Sequence, residues 1–347
     1  MKTDLASPDR LLQIAFAFRS SKALLSAVEL GVFAALKDGP LGLEALARRI
    51  GIHCRGARDF FDALVSLGVL DRDAGGRYHN APDCACYLDP SGPACVGDLL
   101  EYLNARVYGS WGLLTAALRS GKPQAGPSAV GGYAAFYKDQ AKLDSFLRGM
   151  TAGSLLPARA LAAAFPWTDY RTIVDIGTAQ GCVPVEIARA HPHLTGGGFD
   201  LPALASSFKS YVGKHGLGKR LKFYGGDFFH DPLPSADVLV MGRILHNWDV
   251  KTRKLLLRKA HAALPPGGVL IVCETLIDDA RRGRAHGLLA SLNMLIQTEG
   301  GSEFTGDECR RWMHAAGFGS VRIQPLGMFY SAAIAAKDGV AGPPATE

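Results

Sequence analysis

The stretch TIVDIGTAQGCVPVEIARAHP, Thr172 to Pro192, reads as a β-strand, a tight glycine turn and a helix. The β-branched run at its start suits a buried strand. Gly177, Thr178, Ala179 and Gly181 are small enough for backbone to approach a ligand. The helix beyond them opens with free N–H groups, which favour an anionic or polar group. A plain strand-to-helix connection has the same outline, so the turn needs its context.

That context is an α/β alternation running downstream. Further strands are expected at Thr195–Phe199, Lys222–Tyr224, Val238–Met241 and Val269–Cys273, with Val321–Leu326 and Ser331–Ala336 as closing strands. Helices are expected at Val183–His191, Ala203–His215 and Lys251–Ala263. The pattern predicts a mostly parallel, Rossmann-like sheet covered by helices over 166–338. The second strand ends GFDLP, which puts Asp200 where an acidic residue grips two ribose hydroxyls, with Leu201 beside it. The third leads into GGDFF, where Gly226, Asp227 and Phe228 suit the exocyclic amine and face of an adenine. Asp175 lies at the glycine turn itself. A carboxylate there repels a pyrophosphate but suits the ammonium of a methionine, and the turn reads G-T-A-Q-G rather than G-x-G-x-x-G. The ordered acids Asp175, Asp200 and Asp227 therefore favour S-adenosylmethionine over a dinucleotide.

Upstream the period changes. From Leu11 to Leu118 apolar residues recur at helical spacing, as in Leu24, Leu25, Val28 and Val32, or Phe60, Phe61, Leu64 and Leu67. VLDRDAGGRYHN, residues 69–80, reads as a hairpin, so 1–119 looks like a helical, winged-helix-like domain. Such domains often bind DNA, and Arg48, Arg49, Arg55, Arg58 and Arg72 keep that reading open. Against it, CRGARDFFDALVSLG spends much of its length on packing residues. Residues 120–132 are Gly-, Pro- and Ser-rich; with the helical text that follows, 120–165 reads as linker and bridging helices. The last stretch, 339–347, reads as a loose tail.

Composition fits an enzyme of the cytoplasm. The chain has 347 residues, 48% hydrophobic and 20% charged, and a net charge of +6 spread along its length, which indicates no nucleic-acid footprint. No uninterrupted apolar run approaches the roughly 20 residues of a membrane span, and no secretory h-region opens the sequence. Seven scattered cysteines point to reduced thiols. Cys84 and Cys86 form a C-x-C pair without a second pair or histidine at zinc spacing, so no metal is expected.

Taken together, the helical N-terminal region, GFDLP, GDFF, ILHNWD, LPPGG and the C-terminal AAGF resemble the S-adenosylmethionine-dependent O-methyltransferases of the plant caffeate and hydroxyindole type, in their bacterial natural-product branch. The similarity spans nearly the whole chain; Ala179-Gln180 departs from it, where most members carry glycine and another small residue. The resemblance implies a class I methyltransferase domain, with one antiparallel strand in its sheet, behind an N-terminal dimerisation domain. It further implies a homodimer, a small aromatic acceptor, and S-adenosylhomocysteine as product. By the same resemblance His246, in GRILHNWD, is the general base, and Glu274 and Glu303 are its flanking carboxylates. Gly177 and Arg243 then line the donor pocket, while Met150, Trp248, Asn293, Met294 and Gln297 line the acceptor pocket. Transfer to oxygen, nitrogen or carbon, and a regulator with a degenerate methyltransferase body, stay open at this point.

Overall fold

The computed structural model describes residues 7–126, 132–133, 137–283 and 285–338. The expected tail at 339–347, part of the 120–132 loop and the first six residues lie outside them. The chain divides into two units between Gly109 and Ser110.

The first unit runs α1 (Asp9–Glu29), α2 (Val32–Ala35), α3 (Leu43–Arg49) and α4 (Cys54–Ser66), then the antiparallel hairpin β1 (Leu70–Arg72) and β2 (Tyr78–Asn80), then α5 (Pro82–Tyr87) and α6 (Gly97–Tyr102). Phe33, Leu36, Leu46, Phe61, Leu64, Leu70 and Tyr78 form its core. α4 commits Ala57, Phe61 and Leu64 to that core. Its outer face mixes signs, with Arg55, Arg58 and Asp59 exposed and Asp62 paired to Arg72 at 2.7 Å. A face that must attract phosphates would carry one sign, so this one gives the DNA reading no support. α1 qualifies the expectation about membrane spans. Without any uninterrupted apolar run, it is still long and apolar enough to cross a bilayer, and little of it is buried. Leu11, Ile14 and Phe18 are 61%, 65% and 56% exposed.

The second unit adds α7 (Leu114–Ser120), α8 (Gln140–Ala164), β3 (Thr172–Ile176), α9 (Cys182–Ala190), β4 (Thr195–Asp200), α10 (Ala205–Lys214), β5 (Leu221–Gly225), β6 (Val238–Gly242), α11 (Val250–Ala263), β7 (Val269–Glu274), α12 (Ala285–Gln297), α13 (Gly306–Ala315), β8 (Ser320–Leu326) and β9 (Tyr330–Ala336). Residues 120–165, expected as linker and bridging helices, belong to this unit wherever they are described. α8 is part of its core: Leu161 and Ala162 pack with Ile173 and Ile187, and Arg159 donates to Glu186 at 2.7 Å.

The sheet order is β5-β4-β3-β6-β7-β9-β8. The first five are mutually parallel, while β9 inserts antiparallel between β7 and β8. β6 and β7 are buried along nearly their whole length, as strands covered on both faces must be. The order in which successive strands are added reverses between β3 and β6, and ligands of open α/β sheets sit outside the carboxyl ends of the strands at that switch point.

Candidate active site

The turn after β3 is held open by backbone geometry. Gly177 has φ +75°, where a side chain is strained, and a Cβ there would stand 2.2 Å from Ile244 Cδ1, so glycine suits this turn where it meets the loop after β6. Ala179 also takes the left-handed region, at φ 51°, which costs a non-glycine residue roughly 1–2 kcal/mol. Its N–H donates to Asp200 Oδ2 at 2.8 Å. The other unusual residue, Gln180, accepts from the Thr151 hydroxyl on α8 at 2.9 Å, tying the turn to that helix.

Asp175 ends up buried in β3, between β4 and β6. Burial and the neighbouring Asp200 push its carboxyl up to about 7. Burial likewise raises Asp200 to about 6, against the pull of two backbone donors, Ala179 N–H and Leu201 N–H, both at 2.8 Å. Gly226 N–H donates to the Asp200 carbonyl at 3.0 Å, which brings the GGDFF loop beside Asp200 and Leu201. Asp227 is partly exposed. Its Oδ1 accepts from Phe229 N–H at 2.8 Å, and its Oδ2 lies 3.1 Å from His230 Nδ1. Phe228 is half-buried and packs edge-on to Trp248, with ring centroids 6.0 Å apart. Trp248 also meets Phe229 at 4.8 Å and Tyr133 at 6.2 Å.

Across the switch point, β6 ends in a strained exit. Arg243 has φ 58°, and its carbonyl accepts from the Asn247 side-chain amide at 3.0 Å. His246 follows in the short turn Leu245–Asn247 and is buried. The two carboxylates beside it act differently. Glu274, the last residue of β7, accepts the Leu245 and His246 backbone N–H groups on Oε1 at 2.8 and 3.4 Å, so it anchors the turn. Glu303 Oε1 lies 2.8 Å from His246 Nδ1 and orients the ring; Glu274 Oε2 is farther, at 3.5 Å. Burial alone would lower the imidazole pKa. Glu274 and Glu303 outweigh it and hold His246 above its ordinary value, with Arg243 opposing them. Burial raises Glu274 in turn. With Nδ1 committed to a carboxylate, Nε2 is the nitrogen left to take a proton.

Four of the residues expected at the acceptor spread over two helices. Met150 is half-buried on α8. Asn293, Met294 and Gln297 lie on α12, whose Ser291 hydroxyl accepts the Glu303 N–H at 3.2 Å. Gln297 is buried and donates to Asn293 at 3.2 Å, so its amide is already engaged. Of the cysteine pair, Cys84 is buried and Cys86 exposed. Sequence reasoning missed Tyr133, whose hydroxyl donates to Asn247 at 3.2 Å, and also Thr151, Ser291 and Arg253. For Arg253 alone a signal existed: it falls on the same helical face as Leu256, Leu257 and Ala260.

Asp175, Asp200 and Asp227 in and after β3–β5, with the buried His246 after β6 between Glu274 and Glu303, fit a Rossmann-like, S-adenosylmethionine-dependent methyltransferase, and the comparisons agree. Family models of the O-methyltransferase domain and the O-methyltransferase dimerisation domain match residues 111–319 and 12–90. The tetracenomycin polyketide synthesis 8-O-methyl transferase TcmO of Streptomyces glaucescens is 43% identical over 320 residues, 92% of this chain and 94% of its own. The N,N-dimethyltransferase OxyT of Streptomyces rimosus is 38% identical over 90% of this chain and 91% of its own. Human N-acetylserotonin methyltransferase, solved in complex with SAM, superposes with a TM-score of 0.88 at 30% identity, covering 97% of this chain and 100% of that one. The chain belongs to the O-methyltransferase family that carries an N-terminal dimerisation domain.

Proposed function

We propose that this enzyme methylates a phenolic hydroxyl of a small aromatic natural-product intermediate, with His246 as general base. The phenol oxygen attacks the sulfonium methyl carbon in line. The C–S electron pair returns to sulfur, releasing S-adenosylhomocysteine, and the phenol proton passes to His246 Nε2. The observation that carries this reading is the buried His246 Nδ1–Glu303 pair at 2.8 Å. It fixes the tautomer and raises the basicity that a phenol of pKa near ~10 requires. Because the donor is already activated, alignment supplies much of the remaining rate.

In this reading Asp175 takes the methionine ammonium, Asp200 the ribose hydroxyls, and Asp227 with Phe228 the adenine. Gly177, Leu201, Gly226 and Arg243 line the same crevice. Met150, Trp248, Asn293, Met294 and Gln297 face the acceptor, with Glu274 steadying the base. A second copy of the chain covers the apolar face of α1, giving a homodimer, and the seven free cysteines suit a cytoplasmic enzyme. N-methylation is the second reading, favoured by the name of the relative OxyT.

Incubation with isotope-labelled S-adenosylmethionine and a panel of phenols, hydroxy-acids and aminophenols, read by mass spectrometry, decides the acceptor. Methyl-phenol ether products support the reading, and label found only on nitrogen overturns it. His246→Gln should lower kcat by roughly 10²–10⁴-fold while S-adenosylhomocysteine binds as before. Unchanged turnover removes His246 as base.

A further inference from the structure

Arg253 is the most deeply buried cation among the described residues, 1% exposed on α11. A buried guanidinium pays a large desolvation cost unless its donors are met. Here Nε donates to the Leu245 carbonyl at 2.9 Å, and Nη2 donates to the Ser302 carbonyl at 2.6 Å and the Ser302 hydroxyl at 2.9 Å. The guanidinium lies over the rings of Phe304 and Trp312, at 4.8 and 5.3 Å from their centroids. Leu245 immediately precedes His246, and Ser302 immediately precedes Glu303. The same two segments also meet directly, because Ser302 N–H donates to the His246 carbonyl at 2.9 Å. Gly301 permits this approach: a Cβ there would stand 2.5 Å from the His246 carbonyl oxygen.

We propose that Arg253 is a positioning residue for methyl transfer, its rigid fork locking the turn that bears His246 to the loop that bears Glu303. The proposal rests on His246 acting as base. The 2.8 Å distance from Nδ1 to Glu303 depends on two chain segments more than fifty residues apart, and Arg253 bridges them at the residue next to each. A lysine keeps the charge but cannot present the same planar set of donors. The charge matters separately. His246 is faced by Glu274, Glu303 and Arg243; Arg253 is faced by Glu274, Glu303, Glu308 and Asp249; and His286 faces Glu303. Removing one cation from this cluster moves its apparent pKa values up, because each protonated form then meets less positive charge.

The test compares Arg253→Lys and Arg253→Met in the full-length protein. Both should lose at least about tenfold in kcat on the phenol turned over fastest, with S-adenosylhomocysteine affinity unchanged. In the Met variant the acid limb of kcat/KM, and the pH midpoint of the His246 ring ¹⁵N signals, should move to higher pH. In the Lys variant both should stay. The ring titration needs no acceptor, so it stands apart from the choice of substrate. Combining Arg253→Lys with His246→Gln should cost no more than His246→Gln alone. Wild-type kcat in the Lys variant overturns the proposal, and so does an unmoved ring midpoint in a folded Met variant. If the Met variant does not fold, the Lys variant decides alone. If His246→Gln keeps full activity, the base assignment fails, and an additive loss on top of it shows Arg253 acting elsewhere.

Discussion

Replacing Asp175 by Asn should make the protein more stable and its donor site weaker. Asp175 is buried in β3, and its carboxyl is raised from 3.8 to about 7 by burial and by Asp200. A raised folded-state pKa means that, between those values, the folded protein holds a proton that the unfolded chain has released. Stability therefore falls as pH rises through that window and levels off above about 7. A shift of roughly three units corresponds to ~4 kcal/mol at most, which the neutral amide of Asn escapes. Urea unfolding from pH 5 to 9 reads it: the difference between variant and wild type should grow with pH and then reach a plateau. On the proposed reading the methionine ammonium favours ionised Asp175, so donor binding expels the proton. Wild-type affinity for S-adenosylmethionine should then tighten by up to about tenfold per pH unit below 7, a dependence the Asn variant loses. Parallel stability curves refute the buried-charge argument. A pH-dependent affinity surviving in the Asn variant refutes the ammonium contact.

Three further outcomes are expected. Glu303→Gln takes a carboxylate from beside His246, so the acid limb of kcat/KM should move to lower pH while kcat drops by about tenfold or more; an unmoved limb assigns the raised pKa to Glu274. Ala179→Gly relieves the left-handed φ of 51° and should stabilise the protein by up to ~1 kcal/mol, seen as a higher Tm; a lower Tm means the methyl group contributes packing that outweighs strain. The double variant Ile14→Asp, Phe18→Asp charges the exposed face of α1 and should sediment as a monomer where the native chain is a dimer; an unchanged sedimentation coefficient places any self-association elsewhere.

Much of the second unit can be read from local pattern. β3 and the turn after it follow from TIVDIG and small residues, because a strand buried on both faces has few other ways to be written. The ends of β4 and β6 similarly place Asp200 and the His246 turn. Less was readable where contacts are distant. α8 looks like a bridge in sequence, and only its packing against Ile173 and Ile187 shows it as core. The unequal roles of Glu274 and Glu303 depend on backbone donors at Leu245 and His246, which no spacing reveals. Arg253 sits in the text VKTRKLLLRKA, where charges suggest a solvated face; its phase with Leu256, Leu257 and Ala260 says otherwise.

The reversal between β3 and β6 also bears on how such enzymes can be recombined. On the proposed reading the acids that hold the donor fall within 172–231 and the base with its carboxylates within 238–303, so each function is a nearly contiguous block of sequence. A crossover between relatives in the intervening segment, 232–237, would exchange one block while leaving the other whole. The pair that must travel together is Gly177 and Ile244, whose close approach joins the two halves. A chimera that brings a side chain to position 177, or a bulkier one to 244, should lose its donor site even with every polar residue retained.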